Sequence, residues 1–162
     1  MIRTGIGVDS HRFEAGRPLI LGGVDIPHEE GLAGHSDADV LTHAIVDALL
    51  GAAAMGDIGQ HFPDTDEKWK DARSVDLLRA VVDGLAENGF RVVNVDATVM
   101  MERPKLAPYR DAILAALGAV LGAGRVSVKA TTGERLGFIG REEGVACMAI
   151  ATLNRPEANW QT

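Results

Sequence analysis

The sequence is poor in three features that would each define a class of protein: cysteine, excess positive charge and long apolar runs. A single cysteine, Cys147, excludes an internal disulfide and fits a reducing compartment. The net charge of -7 argues against non-specific nucleic-acid binding. The longest apolar run, AILAALGAVLGAG, is shorter than the ~20 residues that span a bilayer, and the N-terminal segment lacks the apolar region of a signal peptide. We therefore predict a cytoplasmic protein that binds neither nucleic acid nor a membrane.

Common catalytic and nucleotide-binding motifs are also missing. The sequence contains no G-x-S-x-G nucleophile elbow and no Walker phosphate loop. GIGVDS is the segment most similar to a dinucleotide fingerprint, but it lacks the third glycine and a following helix. Cys147 lies in the apolar run VACMAIATL, so we interpret it as a core residue rather than a nucleophile.

The composition is otherwise that of an ordinary globular domain. The chain has 162 residues, enough for one hydrophobic core, and its apolar content of 46% and charged content of 24% are typical. We predict a single domain over residues 1–155 and a loose C-terminal tail over residues 156–162.

Several segments have the composition and alternation of β-strands. MIRTGIGVDSHRF and RPLILGGVDI are predicted to form an N-terminal hairpin around EAGR. FRVVNVDATVMM is predicted as a half-covered strand, with Val93, Val95, Ala97 and Val99 on one face. RVSVKATT and GVACMAIATL are the remaining predicted strands.

Three segments carry the 3.6-residue period of amphipathic helices. The first, HSDADVLTHAIVDALLGAAAMG, is predicted to be capped by Ser36, with Asp39 in a capping-box position. The second starts at Ser74, and the third runs from Pro108 to about Leu121. Because strands and helices do not alternate regularly, we predict an α+β fold: a mixed four-stranded sheet with helices on one face, plus the N-terminal hairpin.

A carboxylate and two imidazoles form a candidate metal site. Asp9 and His11 are two apart on a predicted strand, so their side chains leave the same face, and His43 on the following helix could complete the set. These ligand types suit zinc with one coordination position open. Asp39 and Asp47 flank His43 by four residues on either side, so either could orient its second ring nitrogen. Spacing alone leaves open that Asp9 is a turn residue and that the histidines are satisfied singly.

Two further segments could bind polar ligands. His35 and Ser36 precede the first helix, where free N–H groups favour an anion, although Ser36 could simply be a cap. GDIGQHFPDTD places Asp57, Asp64 and Asp66 in a loop, where they could bind sugar hydroxyls or a hard cation, or only make turns.

KATTGERLGFIGR combines groups suited to phosphate. Its threonine hydroxyls and Glu134 could meet a phosphate and its magnesium ion. Phe138 and Arg141 could present an apolar surface and a guanidinium. A polar turn between two strands is the alternative interpretation.

Taken together, these segments resemble the 2-C-methyl-D-erythritol 2,4-cyclodiphosphate synthases of the non-mevalonate route to isoprenoids. The resemblance runs in order from about Ile2 to Leu153, and the pairing of GHSDADVLTHA with GDIGQHFPDTD is highly specific. The segments that carry it are GVDSHRF, LILGGVDIP, GLAGHSDADVLTHAIVDALLGAAAMGDIGQHFPDTD, NVDATVMMERPKLAP and VKATTGERLGFIGREEGVACMAIATL.

The resemblance implies a reaction that needs no protein nucleophile. Members of the family convert 4-diphosphocytidyl-2-C-methyl-D-erythritol 2-phosphate into a cyclic diphosphate and release CMP. Because the substrate's own 2-phosphate attacks its β-phosphorus, catalysis is mainly positioning and charge neutralisation.

The resemblance also implies roles for individual residues. Asp9, His11 and His43 match the family's zinc ligands, or ligands of a similar divalent metal. Glu134 matches the residue that holds Mg²⁺ or Mn²⁺ with the substrate phosphates. His35 and Thr132 match its catalytic residues, which stabilise the transition state. The positions that match substrate-binding residues are Asp9, Ser10, His11, His35, Ser36, Asp57, Ile58, Gly59, Phe62, Pro63, Asp64, Thr65, Asp66, Met101, Glu102, Arg103, Pro104, Lys105, Leu106, Ala107, Thr131, Thr132, Gly133, Glu134, Phe138 and Arg141.

By the same resemblance the chain forms a homotrimer, with sheets packed around the axis and each active site between two subunits. Phe138 and Arg141 would face a central cavity able to take an isoprenoid diphosphate. The chain has TTGER where the family often has TTTEK, so Gly133 removes a hydroxyl and Arg135 changes the shape of a cation. The pocket contacts of Glu102 and Arg103 stay open.

Two other functions compete with this one. A metal-dependent phosphohydrolase would use the same metal to activate water and would release orthophosphate. A non-enzymatic trimer that binds isoprenoid diphosphates through Phe138 and Arg141 would leave Asp9, His11 and His43 without a purpose.

Overall fold

The structure is a computed structural model that describes residues 1–69 and 72–156. The tail predicted over residues 156–162 therefore lies outside the described residues, apart from Pro156. Within these ranges, no helix is long and apolar enough to cross a membrane. The strands are β1 (Ile2–Ala15), β2 (Leu19–Leu21), β3 (Val24–Ile26), β4 (Glu30–Leu32), β5 (Arg91–Met100), β6 (Val126–Thr131) and β7 (Gly144–Asn154). The helices are α1 (Val40–Ala53), α2 (Ile58–His61), α3 (Ser74–Glu87), α4 (Arg110–Leu121) and α5 (Gly137–Gly140), with 3-10 turns at Glu67–Trp69 and Ala107–Tyr109.

The main sheet is mixed and has the strand order β4-β1-β7-β5-β6. Among the strand pairs that the described residues form in this sheet, β5–β6 alone is parallel. The predicted α+β fold and mixed sheet are confirmed, but the prediction of four strands was wrong because the sheet has five. The additional strand, β4, pairs with Phe13–Ala15 of β1. It is only three residues long, too short to show an alternating pattern in the sequence.

The predicted pairing of the first two strand segments was also wrong. β1 pairs with β7 instead, from Ile2 opposite Asn154 to Arg12 opposite Gly144. The segment RPLILGGVDI folds on itself as the separate β2–β3 hairpin. Its two-residue turn, Gly22-Gly23, has φ of +59° and +76°, conformations that glycine adopts without a Cβ clash.

Helix α1 lies directly on β1 and β7. Gly5 and Gly7 of β1 allow this close approach, since a Cβ at Gly7 would lie 2.0 Å from the carbonyl oxygen of Ala44. The apolar stripe of α1, including Leu41 and Ile45, is fully buried. This packing places His43 of α1 over the part of β1 that carries Asp9 and His11.

The predicted apolar stripes of α3 and α4 are confirmed: Leu78, Leu85, Ile113 and Leu117 are buried in one common core. Val93, however, does not share the buried face of β5. The register shifts between Val92 and Asn94, so Val92 turns inward with Val95, Ala97 and Val99. A β-bulge of this kind breaks the period of two that the prediction assumed.

The sheet face opposite the helices carries an exposed apolar patch. Ile6 lies opposite Ile150, and Val8 lies opposite Met148. These four side chains are between 42% and 60% exposed. We call them the open face; contiguous apolar surface of this kind marks an interaction site in many proteins.

Cys147 lies on the other face of β7, under the helices. Its side chain is fully buried, and burial raises the pKa of its thiol to about 12. A thiol that stays protonated in this way is a poor nucleophile, which confirms its interpretation as a core residue.

Candidate active site

Three ligand atoms converge where α1 crosses β1. Asp9 Oδ2 lies 3.0 Å from His11 Nε2 and 3.1 Å from His43 Nδ1, and the two nitrogens are 3.3 Å apart. Ligands about 2.0–2.2 Å from a tetrahedral metal lie about 3.3 Å apart, so this triangle has the size of one face of a zinc site. Asp9, His11 and His43 can therefore hold a divalent metal ion with one position left open.

The histidine tautomers agree with metal binding. His11 Nδ1 is 2.6 Å from the carbonyl oxygen of Ala33, which can only accept, so Nδ1 carries the proton. Nε2 of His11 is then left with a free lone pair directed at Asp9 and His43. Backbone carbonyls fix metal-binding histidines in the same manner in many proteins.

The electrostatics of the cluster favour an ionised carboxylate. Burial would raise the pKa of Asp9, but hydrogen bonds with His11 and His43 and their charges hold it well below its ordinary value. Burial would likewise lower the pKa of His11, yet its hydrogen bond with Asp9 and the charge of Asp9 raise it. A proton therefore competes with a metal ion for His11.

The expected partners of the second ring nitrogen of His43 were wrong. The carboxylate of Asp39 caps α1 by accepting from Thr42 N at 3.0 Å, and it also accepts from Gly22 N and Gly23 N. Asp47 accepts from Ile58 N at 2.7 Å. The prediction that Ser36 caps α1 was also wrong, because Asp39 is the N-cap. The hydrogen bond from Thr42 N to Asp39 starts the helix at Val40, three residues later than a Ser36 cap would.

The nitrogen His43 Nε2 instead faces two serines. Ser74 Oγ lies 2.8 Å away and Ser36 Oγ lies 3.3 Å away. Ser74 is the first residue of α3 and is fully buried. Sequence reasoning missed its role because only the packing of α3 on α1 brings it to His43.

The cluster of Asp9, His11 and His43 borders a pocket of about 430 Å³, the first pocket, whose wall includes both histidines. The predicted residues Ile58, Gly59, Phe62 and Asp64 contribute to its wall, and Gly34, Trp69 and Leu77 were not predicted. Trp69 packs edge-on against Phe62, with ring centroids 4.9 Å apart. The tryptophan in the otherwise polar segment DEKW is the sequence feature that could have predicted Trp69 as a wall residue. The lining residues are His11, Gly34, His35, Ser36, His43, Ile58, Gly59, Phe62, Asp64, Trp69 and Leu77.

The other residues of the 57–66 loop have mainly local contacts. Asp57 caps α2 by accepting from Gln60 N at 3.0 Å. Asp66 accepts from Lys68 N at 3.0 Å. Asp57, Pro63, Thr65 and Asp66 do not line the first pocket.

Ser10, another residue predicted to bind substrate, is exposed on β1. It lies between Asp9 and His11 in the strand, so its side chain leaves the opposite face of the sheet.

Arg17 holds the backbone on both sides of His35 through two hydrogen bonds. Its guanidinium donates to Gly34 O at 2.8 Å and to Ser36 O at 2.6 Å. His35 itself is exposed at the wall of the first pocket. Its backbone is therefore anchored while its side chain stays accessible to a ligand.

A second pocket, of about 220 Å³, lies beside the end of β6. Its wall includes six of the seven residues 101–107, all of which the family resemblance predicts to bind substrate. Arg103 is the member of 101–107 that does not line it, because its guanidinium pairs with Glu142 Oε2 at 2.6 Å. The lining residues are Met101, Glu102, Pro104, Lys105, Leu106, Ala107, Ala130, Thr131 and Thr132.

The loop after β6 is held against this segment. Glu102 Oε2 accepts from Gly133 N at 2.9 Å, which gives Glu102 a positioning contact. A Cβ at Gly133 would lie 2.8 Å from Gly140 N, so the glycine in TTGER fits tight packing on α5. The Thr132 hydroxyl donates to Glu134 Oε1 at 2.8 Å, so these two predicted residues lie together.

Phe138 and Arg141 lie on and just after α5. Phe138 is 43% exposed. The Arg141 guanidinium pairs with Glu143 Oε1 at 2.8 Å, and both side chains face solvent. The structure therefore does not bring this pair into either pocket.

The two pockets are separate in one chain. Asp9 of β1 lies opposite Cys147 of β7, and Cys147 lies opposite Val99 of β5. Val99 in turn lies opposite Ala130 of β6, at the second pocket. Three strand spacings put Asp9 and Ala130 about 14 Å apart. The pockets share no lining residue.

Known proteins match the chain over nearly all of its length. The YgbB family model matches residues 2–154. A curated relative from Salinibacter ruber, a 2-C-methyl-D-erythritol 2,4-cyclodiphosphate synthase, is 60% identical over 154 residues, 94% of this chain and 98% of the relative.

Solved structures agree in fold. The bifunctional IspDF from Campylobacter jejuni superposes with a TM-score of 0.92 at 46% identity and covers 97% of this chain, which spans 43% of that longer protein. A 2C-methyl-D-erythritol-2,4-cyclodiphosphate synthase solved in a CDP-bound form superposes with a TM-score of 0.86 at 38% identity, covering 94% of this chain and 100% of its own.

Proposed function

The chain belongs to the YgbB family, and from that premise we propose that its two pockets are the two ends of a cyclodiphosphate synthase active site. Its function is that of the family: a phosphorus–oxygen lyase of isoprenoid biosynthesis. The substrate 4-diphosphocytidyl-2-C-methyl-D-erythritol 2-phosphate closes on itself, its 2-phosphate attacks the β-phosphorus, and CMP leaves. No nucleophile from the protein is required, which agrees with the buried, protonated Cys147.

Asp9, His11 and His43 would hold the first metal ion, for which we propose zinc. Bound there, it would supply Lewis-acid polarisation of a β-phosphate oxygen. The chemistry of the donors supports the choice, since imidazole nitrogens and a carboxylate in a closed triangle suit zinc better than the harder magnesium ion.

The remaining residues of the first pocket would orient the sugar end of the substrate. His35 and Ser36 would donate hydrogen bonds to phosphate oxygens, from a backbone that Arg17 holds in place. Asp64 would accept from the methylerythritol hydroxyls, beside the apolar wall of Ile58 and Phe62. Asp57, Pro63, Thr65 and Asp66 would shape the loop around it.

The second pocket would bind the cytidine end. The CDP-bound relative supports a nucleotide ligand, and the segment Met101–Ala107 would supply backbone groups for the base. Lys105 and the hydroxyls of Thr131 and Thr132 would meet the diphosphate. Glu134 would hold Mg²⁺ or Mn²⁺ with the phosphates, next to the Thr132 hydroxyl.

We further propose a homotrimer in which the first pocket of one subunit meets the second pocket of its neighbour. The separation of about 14 Å within one chain and the exposed polar groups of the second pocket support it. The exposed apolar side chains of the open face would pack around the threefold axis. Each subunit would contribute residues 1–155 as one domain. Phe138 and Arg141 would then border a central cavity suited to an isoprenoid diphosphate.

The observation that carries the proposal is the convergence of Asp9, His11 and His43 at the edge of the first pocket. It is tested by phosphorus NMR of the products formed from the cytidine substrate with zinc and magnesium present. We expect CMP and a cyclic diphosphate in equal amounts, with no orthophosphate. Orthophosphate would instead identify a phosphohydrolase, and no turnover at all would favour a non-enzymatic binding protein.

A further inference from the structure

His43 must present a lone pair at Nδ1 if it is to bind a cation with Asp9 and His11. Imidazole carries one proton in its neutral form, and that proton must then sit on Nε2. The tautomer therefore depends on what Nε2 contacts. Its nearest contact is the buried hydroxyl of Ser74, at 2.8 Å.

The direction of that hydrogen bond is set by a third residue, Asp37. Ser74 Oγ is in hydrogen-bond contact with Asp37 Oδ1, and Asp37 Oδ2 accepts from Ser74 N at 3.0 Å. A carboxylate can only accept, so the serine hydroxyl must donate to it. The hydroxyl oxygen is then the acceptor that remains for a proton on His43 Nε2.

We propose that Ser74 and Asp37 are positioning residues that hold His43 in the Nε2–H tautomer and so direct Nδ1 at the metal. This inference rests on the proposed metal site. It extends that site from three ligands on β1 and α1 to a carboxylate in the loop before α1 and a serine at the start of α3.

The other polar groups near His43 do not perform this task. Asp39 and Asp47 are engaged by Thr42 N and Ile58 N, respectively. Ser36 Oγ, at 3.3 Å from Nε2, also accepts from Ala38 N. The contact with Ser74 is the shorter of the two serine contacts and the one that a carboxylate orients.

The test compares Ser74→Ala, Ser74→Thr and Asp37→Asn with wild type, and uses Ser127→Ala on exposed β6 as the matched control. Zinc affinity is measured by competition with a chelator. Loss of an oriented partner of a metal-bound histidine typically costs 10–100-fold in metal affinity. We expect about that loss for Ser74→Ala, a smaller loss for Asp37→Asn, recovery in Ser74→Thr, and no change in the control.

A second readout uses metal-free Asp9→Ala, because in metal-free wild type the Asp9 carboxylate faces His43 Nδ1 at 3.1 Å and would itself attract the ring proton. Ring nitrogen-15 shifts at pH 8 report which nitrogen of His43 is protonated. We expect Nε2–H in Asp9→Ala and a mixture of tautomers in Asp9→Ala/Ser74→Ala, with thermal unfolding confirming that each variant is folded. Asp37→Asn keeps the serine and serves if Ser74→Ala does not fold.

Zinc affinities of Ser74→Ala and Asp37→Asn within twofold of wild type, or a His43 protonated on Nδ1 in metal-free Asp9→Ala, would overturn the inference. Failure of the proposed function looks different: wild type would release orthophosphate or show no turnover in the product assay. The zinc affinities and the tautomer measurement would still decide what Ser74 and Asp37 do.

Discussion

The two pockets differ in how completely one chain builds them. At the first pocket, His11 and His43 are fixed by contacts from Ala33 and Ser74, on two separate parts of the fold. At the second pocket, the polar side chains of Lys105, Thr131 and Thr132 are exposed.

This difference indicates that the first pocket stabilises charge during the reaction and that the second pocket mainly binds the nucleotide. A site that stabilises developing charge must be rigid before substrate arrives, because reorganising dipoles during the reaction costs free energy. A site that mainly binds a nucleotide can be completed by the ligand or by a second subunit. We therefore expect substitutions in the first pocket to lower kcat and substitutions of residues that only bind the nucleotide, such as Lys105, to raise KM. Thr132 is the exception in the second pocket, because it matches a residue that stabilises the transition state, and its loss should lower kcat.

The largest expected effect is at the cluster of Asp9, His11 and His43, the proposed metal ligands. His43→Ala removes one of three ligands, so kcat should fall by at least about 10²–10³-fold through loss of Lewis-acid stabilisation. Bound zinc, measured by elemental analysis, should fall with it. His28→Ala, a histidine outside both pockets, should keep activity and metal. Full activity in His43→Ala would contradict the assignment.

A smaller effect is expected at the second pocket. Lys105→Ala removes a cation from its wall, and loss of one charge-assisted contact of about 1.4 kcal/mol corresponds to about tenfold in KM. The value of kcat should stay within about twofold. Steady-state kinetics with the cytidine substrate measures KM and kcat of Lys105→Ala separately. A fall in kcat with unchanged KM would erase the distinction between the pockets.

The smallest effect concerns stability. Zinc at 100 times its Kd stabilises the folded state by about 2.7 kcal/mol, or about 5–10 °C in Tm for a chain of this size. Chelation should therefore lower the Tm by that amount in wild type and leave it unchanged in His43→Ala. An equal shift in both proteins would place the bound metal elsewhere.

Local patterns in the sequence predicted the parts of the site that depend on local structure. The period of two placed Asp9 and His11 on one strand face, and the helical period placed His43 on the element that follows. What no local pattern contains is the packing of α3 on α1, which brings Ser74 to His43 from 31 residues away.

The errors in the predicted fold also arise where the structure depends on contacts between distant parts of the chain. β4 is three residues long and gains its strand geometry only by pairing with β1. Val93 does not lie on its predicted face because the pairing of β5 with β7 contains a bulge at Val92/Asn94. The individual site roles, such as those of Glu134 and Arg141, came from the family resemblance rather than from spacing, and they stay predictions.

Subunit complementation tests most directly whether the two pockets form one site across an interface. His43→Ala and Thr132→Ala are each purified and shown to be inactive, then unfolded, mixed in equal amounts and refolded together. If each active site joins two chains, about a quarter of the sites in random trimers combine two intact ends, so activity should return to about a quarter of the wild-type value. A mixture that refolds into trimers yet stays inactive would contradict the account.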